Sequence, residues 1–390
     1  MRNRAWIAAM VMAGAMCVVM VAAQAQQPQT QQPKLTNAQL TVKADDLQRE
    51  IAAAQTATWI GYSVAATHRV DGDWDEVIHL EGVNSDSLHV MEDTKPIPPA
   101  AILLRVTAGK VERVAIERMD REIDAGGLPF VWLTGVSATD SVKTLKSVVE
   151  ASFAEVEKAA TNPPVATTGD RERDRIERDV QREPARQLQR LQERALVAIA
   201  LEEGPEATAA LKSFTAASYS ATLRERAAFW LANERGAEGF QTVSALLKSD
   251  KDEAFRVKLV FDLTLVKGDS KKAAIDDLIA LAKTDAMPKV RTQAQFWLAQ
   301  IAGKNGGDPR ITVALSDAAK NDPEAGIRKS AVFALSRLPT DQAVPELIQV
   351  ASTTKDMVTR REAIFWLGQS KDPRALDYLV KVVKATDSTQ

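Results

Sequence analysis

Cysteine is nearly absent, the only one being Cys17 inside an apolar N-terminal run. Disulfides, cysteine nucleophiles and thiolate-held metals are thereby excluded from the rest of the chain, whose stability must come from packing. Histidine is scarce: His68, His79 and His89 are the three, all in the first quarter of the sequence, so imidazole chemistry is confined there. Charge of one sign is also missing. Fifty lysines and arginines against 52 aspartates and glutamates leave a net charge of −2, which argues against a general nucleic-acid or anionic-membrane binder. Phosphate-cradling glycine loops, nucleophile elbows and paired-histidine zinc motifs do not occur. A second long apolar run is lacking too, so no membrane span is expected beyond the N-terminus.

The 390 residues are 45% apolar, enough for two folded parts with linkers. Arg2 and Arg4, the apolar run Ala5 to Ala23 and the small-x-small Ala23-Gln24-Ala25 read as a secretory signal over 1–25, removed after Ala25. An uncleaved anchor is the alternative, since the run approaches spanning length. Cleavage implies an exported protein, in the periplasm or cell envelope of a bacterium or outside it. Residues 26–55 begin as a Gln/Pro-rich tether and continue into a short helix lined by Leu40, Val42, Leu47 and Ile51.

Residues 56–160 change character. Short runs of β-branched and aromatic residues, Trp59 to Ala65, Val77 to Leu80, Ser87 to Met91, Ile102 to Thr107, Val111 to Glu117 and Phe130 to Thr134, alternate with Gly, Asp, Asn and Pro. They predict a small, largely antiparallel sheet, with its clearest hairpin turning at Gly109. An amphipathic helix follows, carrying Val142, Leu145, Val149, Phe153 and Val156, with Asp140 or Ser141 as N-cap. Asn162-Pro163-Pro164 stops it, and 161–185 reads as a charged linker whose regular form would be an exposed helix. The aspartate cluster from Asp71 to Glu76 fails as a calcium loop, because its sixth position is Glu76 and its twelfth Gly82. With the histidines it could hold a metal, but a solvated hairpin loop explains the same residues; no metal or cofactor is expected.

From 186 to 390 a unit recurs. Arg224, Arg256, Arg291, Arg328 and Arg360 are each followed five residues later by a phenylalanine, Phe229, Phe261, Phe296, Phe333 and Phe365, and two after that by leucine. The phenylalanines are 32, 35, 37 and 32 residues apart, the period of a stacked helical repeat. Asp250, Asp285 and Asp322 each stand 11 residues before one of them. Asp308-Pro309 and Asp372-Pro373 place Asp at N-cap and Pro at the first helical position. A weaker unit can be set at Arg194, with Ile199 in the phenylalanine position.

Val290-Arg291 with Ala294 and Leu298, Ile327-Arg328 with Ala331 and Leu335, and Arg360 with Ala363 and Leu367 resemble the second helix of bacterial HEAT repeats. The resemblance implies an α-helical solenoid of about five to six helix pairs behind a small β-rich α+β domain. It also implies that Asp250, Asp285 and Asp322 tie neighbouring turns together with Arg256, Arg291 and Arg328. Some HEAT-like proteins are iron hydroxylases using His-Glu pairs, and a histidine-free array does not fit them. The stretches TWIGYSV and DAGGLPFVWLTGV before such repeats are similar to exported bacterial proteins, which implies envelope location and no activity.

On a helical wheel the arginine and the residues three and seven later define the buried side, and the phenylalanine points away from it. The phenylalanine stripe also takes Glu225, Lys329 and Arg361, and the small Ala232, Ala299 and Gly368. Trp230, Trp297 and Trp366 fall on a flank, suited to packing between second helices. Two readings of the phenylalanines stay open: rings folded sideways between successive helices, or a ladder on the concave face that receives a partner. The function expected is a monomeric, non-enzymatic protein-interaction scaffold. The alternative makes the β-rich part an enzyme or ligand-binding module and the repeats its platform.

Overall fold

The computed structural model describes residues 32–71, 77–81, 89–91, 97–160, 171–304 and 308–387. Residues 1–25, read from the sequence as a signal, and positions 72–76 of the aspartate cluster lie outside these residues. The N-terminal part runs β1 (Lys34–Thr36), β2 (Gln39–Lys43), α1 (Leu47–Ala53), β3 (Thr58–Val64), β4 (Arg69–Asp71), β5 (Val77–His79), β6 (His89–Met91), β7 (Ala100–Thr107), β8 (Lys110–Arg118), β9 (Glu122–Asp124), β10 (Pro129–Leu133) and α2 (Ala138–Ala160).

Its centre is a five-stranded sheet in the order β2-β10-β3-β7-β8, with a three-stranded sheet β1-β9-β5 beside it and β4 paired with β6. Both faces of the larger sheet are covered, which is why β3 and β7 read as continuous apolar runs. Ile60, Tyr62, Ile102, Leu104 and Ile116 face a core shared with the helices, while Trp59, Leu103, Phe130 and Trp132 pack with Leu80 and Ile123 of the smaller sheet. Gly61 makes room for the side chains of its cross-strand neighbours, since a Cβ there would sit 2.8 Å from Leu103 and 2.9 Å from the Trp132 ring. The β7–β8 hairpin turns on Ala108 and Gly109, both with positive φ, 49° and 73°, the two-residue form whose twist suits the flanking strands.

Three expectations are corrected here. The central sheet is mixed: β10 runs parallel to both β2 and β3, and only the β3–β7–β8 meander is antiparallel. Leu40 and Val42 belong to β2, an exposed edge strand, and the helix holds only Leu47 and Ile51. The cap of α2 is Ser137, whose hydroxyl accepts from the Asp140 N–H at 3.1 Å, leaving Ser141 to point into the core.

The remaining helices are α3 (Arg171–Leu201), α4 (Pro205–Phe214), α5 (Ala221–Glu234), α6 (Gly236–Ser249), α7 (Glu253–Asp262), α8 (Lys271–Thr284), α9 (Pro288–Lys304), α10 (Pro309–Asn321), α11 (Ala325–Ser336), α12 (Thr340–Thr353), α13 (Met357–Gln369) and α14 (Pro373–Asp387). From α4 onward they stack as pairs, the arginine-bearing helices α5, α7, α9, α11 and α13 being the second of each. The boundary expected at 185/186 falls inside α3. The charged half of that helix is exposed and pairs locally, Arg186 with Asp179 and Arg190 with Glu183. Its second half, from Leu191 to Leu201, is buried against α2, α4 and α5. One apolar core therefore continues from the sheet through α3 into the repeats.

Candidate functional site

The second helices pack against one another more extensively than the first helices do. The array therefore bends toward them, and they line its inner face. Within each, the arginine-side stripe is buried as the wheel requires: Ala227, Leu231, Ala294, Leu298, Ala331, Leu335, Ala363 and Leu367.

The arginines stitch the turns. Arg224 pairs with Asp250, Arg256 with Asp285, Arg291 with Asp322 at 2.9 Å, and Arg328 with Asp356 at 3.2 Å. Each carboxylate thus takes the arginine of the preceding unit. The arginine of the same unit instead donates to the turn's backbone carbonyl, Arg291 to that of Asp285 and Arg328 to that of Asp322, both at 2.7 Å. Asp250, Asp285 and Asp322 also accept at 2.9 Å from the N–H two residues on, an Asx turn that rigidifies each bend. In the last full unit Thr354 stands where the aspartate would be, and Arg360 donates to its carbonyl at 2.6 Å. The guanidinium of Arg224 also lies over the Phe255 ring, 3.9 Å from its centroid.

The phenylalanines project from the inner face. Phe296, Phe333 and Phe365 are 39%, 38% and 54% exposed, and Phe229 and Phe261 are half-buried. They do not stand alone. Trp297 sits between Phe261 of the preceding second helix (4.9 Å between centroids) and its own neighbour Phe296 (5.1 Å). Trp366 repeats this between Phe333 (5.4 Å) and Phe365 (5.1 Å). Phe229 and Trp230 form a third group. Both readings of the stripe therefore apply: Phe261 and Phe333 lean on the tryptophan of the next second helix, Phe229, Phe296 and Phe365 on that of their own helix, and the rings also meet solvent. Ala232 and Ala299, expected on the stripe, are buried under it, while Gly368 is exposed.

The ladder breaks where the tryptophan position holds something else, Asp262 on α7 and Ala334 on α11. Asp262 is buried, and its Oδ2 has no partner among the described residues. Burial, reinforced by the Glu225 carboxylate on α5 and opposed by Lys258, pushes its pKa up to about 8. The sequence carried a sign of this residue, an aspartate in RVKLVFDLT where RTQAQFWLA and RREAIFWLG have tryptophan.

The three histidines do not converge. His68 sits against Glu234 of α5, Nδ1 2.5 Å from Oε2 though not aligned as a hydrogen bond. His79 lies 3.0 Å from Asp124, and His89 belongs to β6. Among the described residues no group of three or more His, Cys, Asp or Glu is placed to hold a metal ion. Sequence reasoning missed a polar cluster buried where the sheet module meets the array. There Tyr62 Oη lies 2.7 Å from Ser141 Oγ, which donates to Glu202 Oε1 at 2.6 Å. Arg235 donates to the carbonyls of Ile199 and Ala200 at 2.9 and 2.8 Å, closing the end of α3. Burial pushes Glu202 up to about 8 against the opposing pull of Ser141 and Arg235, and raises Tyr62 well above its ordinary value. A groove of about 690 Å³ runs between β8 and α3, lined by Arg105, Lys110, Arg113, Arg190 and Arg194 with Glu112.

Residues 312–389, which span nearly all of α10 to α14, match the family model described as HEAT repeats. No curated protein matches the chain. Among solved structures, human deoxyhypusine hydroxylase in complex with glycerol is 19% identical, with 61% of this chain and 78% of that chain covered and a TM-score of 0.25. A computationally designed self-assembling cyclic homooligomer is also 19% identical, covering 63% of this chain and 86% of its own, with a TM-score of 0.12. Superpositions this loose carry nothing of either protein's activity or assembly to this chain. No described helix is long and apolar enough to cross a membrane.

Proposed function

We propose that this HEAT-repeat protein is exported and acts without catalysis, as a scaffold that takes a protein partner on the inner face of its array. The observation that supports the reading is the row of partly exposed phenylalanines at one position of successive second helices. Each is held by a neighbouring tryptophan, so little side-chain entropy is lost on contact, and rigid aromatics are the usual anchors of protein interfaces. The N-terminal run and the Ala23-Gln24-Ala25 site support export; a mature N-terminus found by mass spectrometry at Met1 instead of beyond Ala25 would remove that part.

The scaffold reading is tested by changing Phe296, Phe333 and Phe365 together to serine and comparing capture from an envelope fraction with that of wild type and of Val313→Ser. Val313 is exposed on α10, a first helix. The expected result is a partner retained by wild type and Val313→Ser and lost by the triple variant at unchanged helicity; equal capture by all three overturns the reading. The groove between β8 and α3 supports a second reading, in which the sheet module binds an acidic ligand at Lys110: of the five cationic side chains that line it, Arg105 and Arg190 are already paired with Glu81, Glu112 and Glu183. Binding of a poly-glutamate peptide lost in Lys110→Glu would favour it.

A further inference from the structure

The outermost described helix, α14, presents an aliphatic stripe to solvent: Leu376, Val380 and Val383 are 63%, 42% and 59% exposed. Its opposite side is used, with Ala375 buried and the helix packed on α12 and α13. Aligned on their repeats, Leu376, Val380 and Val383 match Val344, Ile348 and Ala351 of α12, and Thr312, Ser316 and Ala319 of α10. On those helices this face meets the next first helix. Val344 and Ala351 are buried in the α12–α14 stack, and Thr312 and Ser316 bond Gln342 and Glu346 of α12 at 3.0 and 2.5 Å. On α14 it meets no described element. The stripe is more aliphatic than its counterpart on α10.

We propose that this face pairs with α14 of a second copy of the chain, antiparallel, about a two-fold axis near Val380. The pattern is self-complementary in that arrangement. Leu376 of one copy falls opposite Val383 of the other, and Val380 meets its own equivalent. Asp377 and Lys384, both exposed, lie seven residues apart on one flank of the stripe. With the axis near Val380 each Asp377 lies beside Lys384 of the second copy, so two ion pairs border the apolar contact. The interface continues the stacking surface of the repeats and does not depend on the role proposed for the phenylalanines. It departs from the monomer expected from sequence.

Sedimentation equilibrium of the full chain up to about 100 µM is the test. Wild type should dimerise. Asp377→Lys and Lys384→Asp should each weaken self-association by roughly tenfold or more, because like charges then face each other, and their equimolar mixture should recover the wild-type mass. Val380→Glu should abolish the dimer with helicity intact by circular dichroism. A wild type that stays monomeric would overturn the proposal and leave the stripe to a helix of another protein. A dimer indifferent to the charge variants, or one that mixing fails to rescue, would overturn it as well.

Discussion

Asp262 occupies the position that tryptophan holds on α5, α9 and α13, between Glu225 of the preceding second helix and Lys258 of its own. A carboxyl in that setting is neutral at pH 7, because burial and a nearby negative charge both disfavour its ionised form. Its folded pKa, about 8, lies above the value near 4 of an unfolded chain. The folded state therefore holds an extra proton between those limits. The stability this contributes is complete below about pH 4 and is lost as pH rises through about 8, at roughly 1.4 kcal/mol per pH unit inside the window at most. Asp262→Asn should remove this dependence: urea unfolding between pH 5 and 9 should show a flatter profile for the variant and a more stable variant at pH 9. A variant that parallels wild type across the range would mean Asp262 is ionised in the fold.

The repeat unit is the element whose strength depends on Arg291. This side chain is buried and bonds the carboxylates of Asp322 and Glu324 and the carbonyl of Asp285, so it ties three successive points of two turns. Arg291→Ala should cost about 3–5 kcal/mol by leaving Asp322 buried without its counter-charge. Lys289→Ala, which removes the exposed pair with Glu253, should leave the melting temperature where it was. A small loss for Arg291→Ala would place the stitching in apolar stacking alone. Arg291 was legible in sequence because a helical repeat concentrates its contacts within tens of residues, so arginine, alanine, phenylalanine and leucine recur at the spacing the stack demands. The strands β3, β7 and β8 were legible for a similar reason, their runs and the Ala108-Gly109 turn being local. The parallel pairing of β10 with β2 and β3 was not, since it joins segments some 90 and 70 residues apart, such as Trp132 with Val42 and with Gly61, which no local pattern marks. The charged half of α3 read as linker because its composition describes what solvent sees, while its continuity comes from the buried half that follows. At the candidate site the phenylalanine position was legible; which rings lean on a neighbouring helix was not, since Phe261 meets Trp297 and Phe333 meets Trp366 only across the stack.

At the scale of the whole molecule the sheet module and the array behave as one body wherever their shared core and the cluster at Glu202 hold. The backbone joins them too: Thr67 N–H donates to the Leu201 carbonyl at 2.8 Å, and Thr67 Oγ1 to Glu234 at 3.1 Å. Glu202 is the titratable point of this seam. It faces Ser141 and Tyr62 from the sheet module and Arg235 on the array side, whose guanidinium is in turn acted on by Glu234 and Glu203. Its pKa, raised to about 8 by burial, means that the fold binds a proton there which the unfolded chain releases above about pH 4. The seam is therefore strongest in acid and weakens as pH climbs through about 8, when a buried charge appears beside the tyrosine and the end of α3. Glu202→Gln keeps the oxygen that accepts from Ser141 and cannot ionise. In hydrogen exchange, wild type at pH 9 should show faster opening of β3, α2 and the end of α3 than at pH 6 after correction for intrinsic rates, with α9 to α13 unchanged. The glutamine variant should lose that difference, and an equal pH response in both chains would place the weak point elsewhere than Glu202.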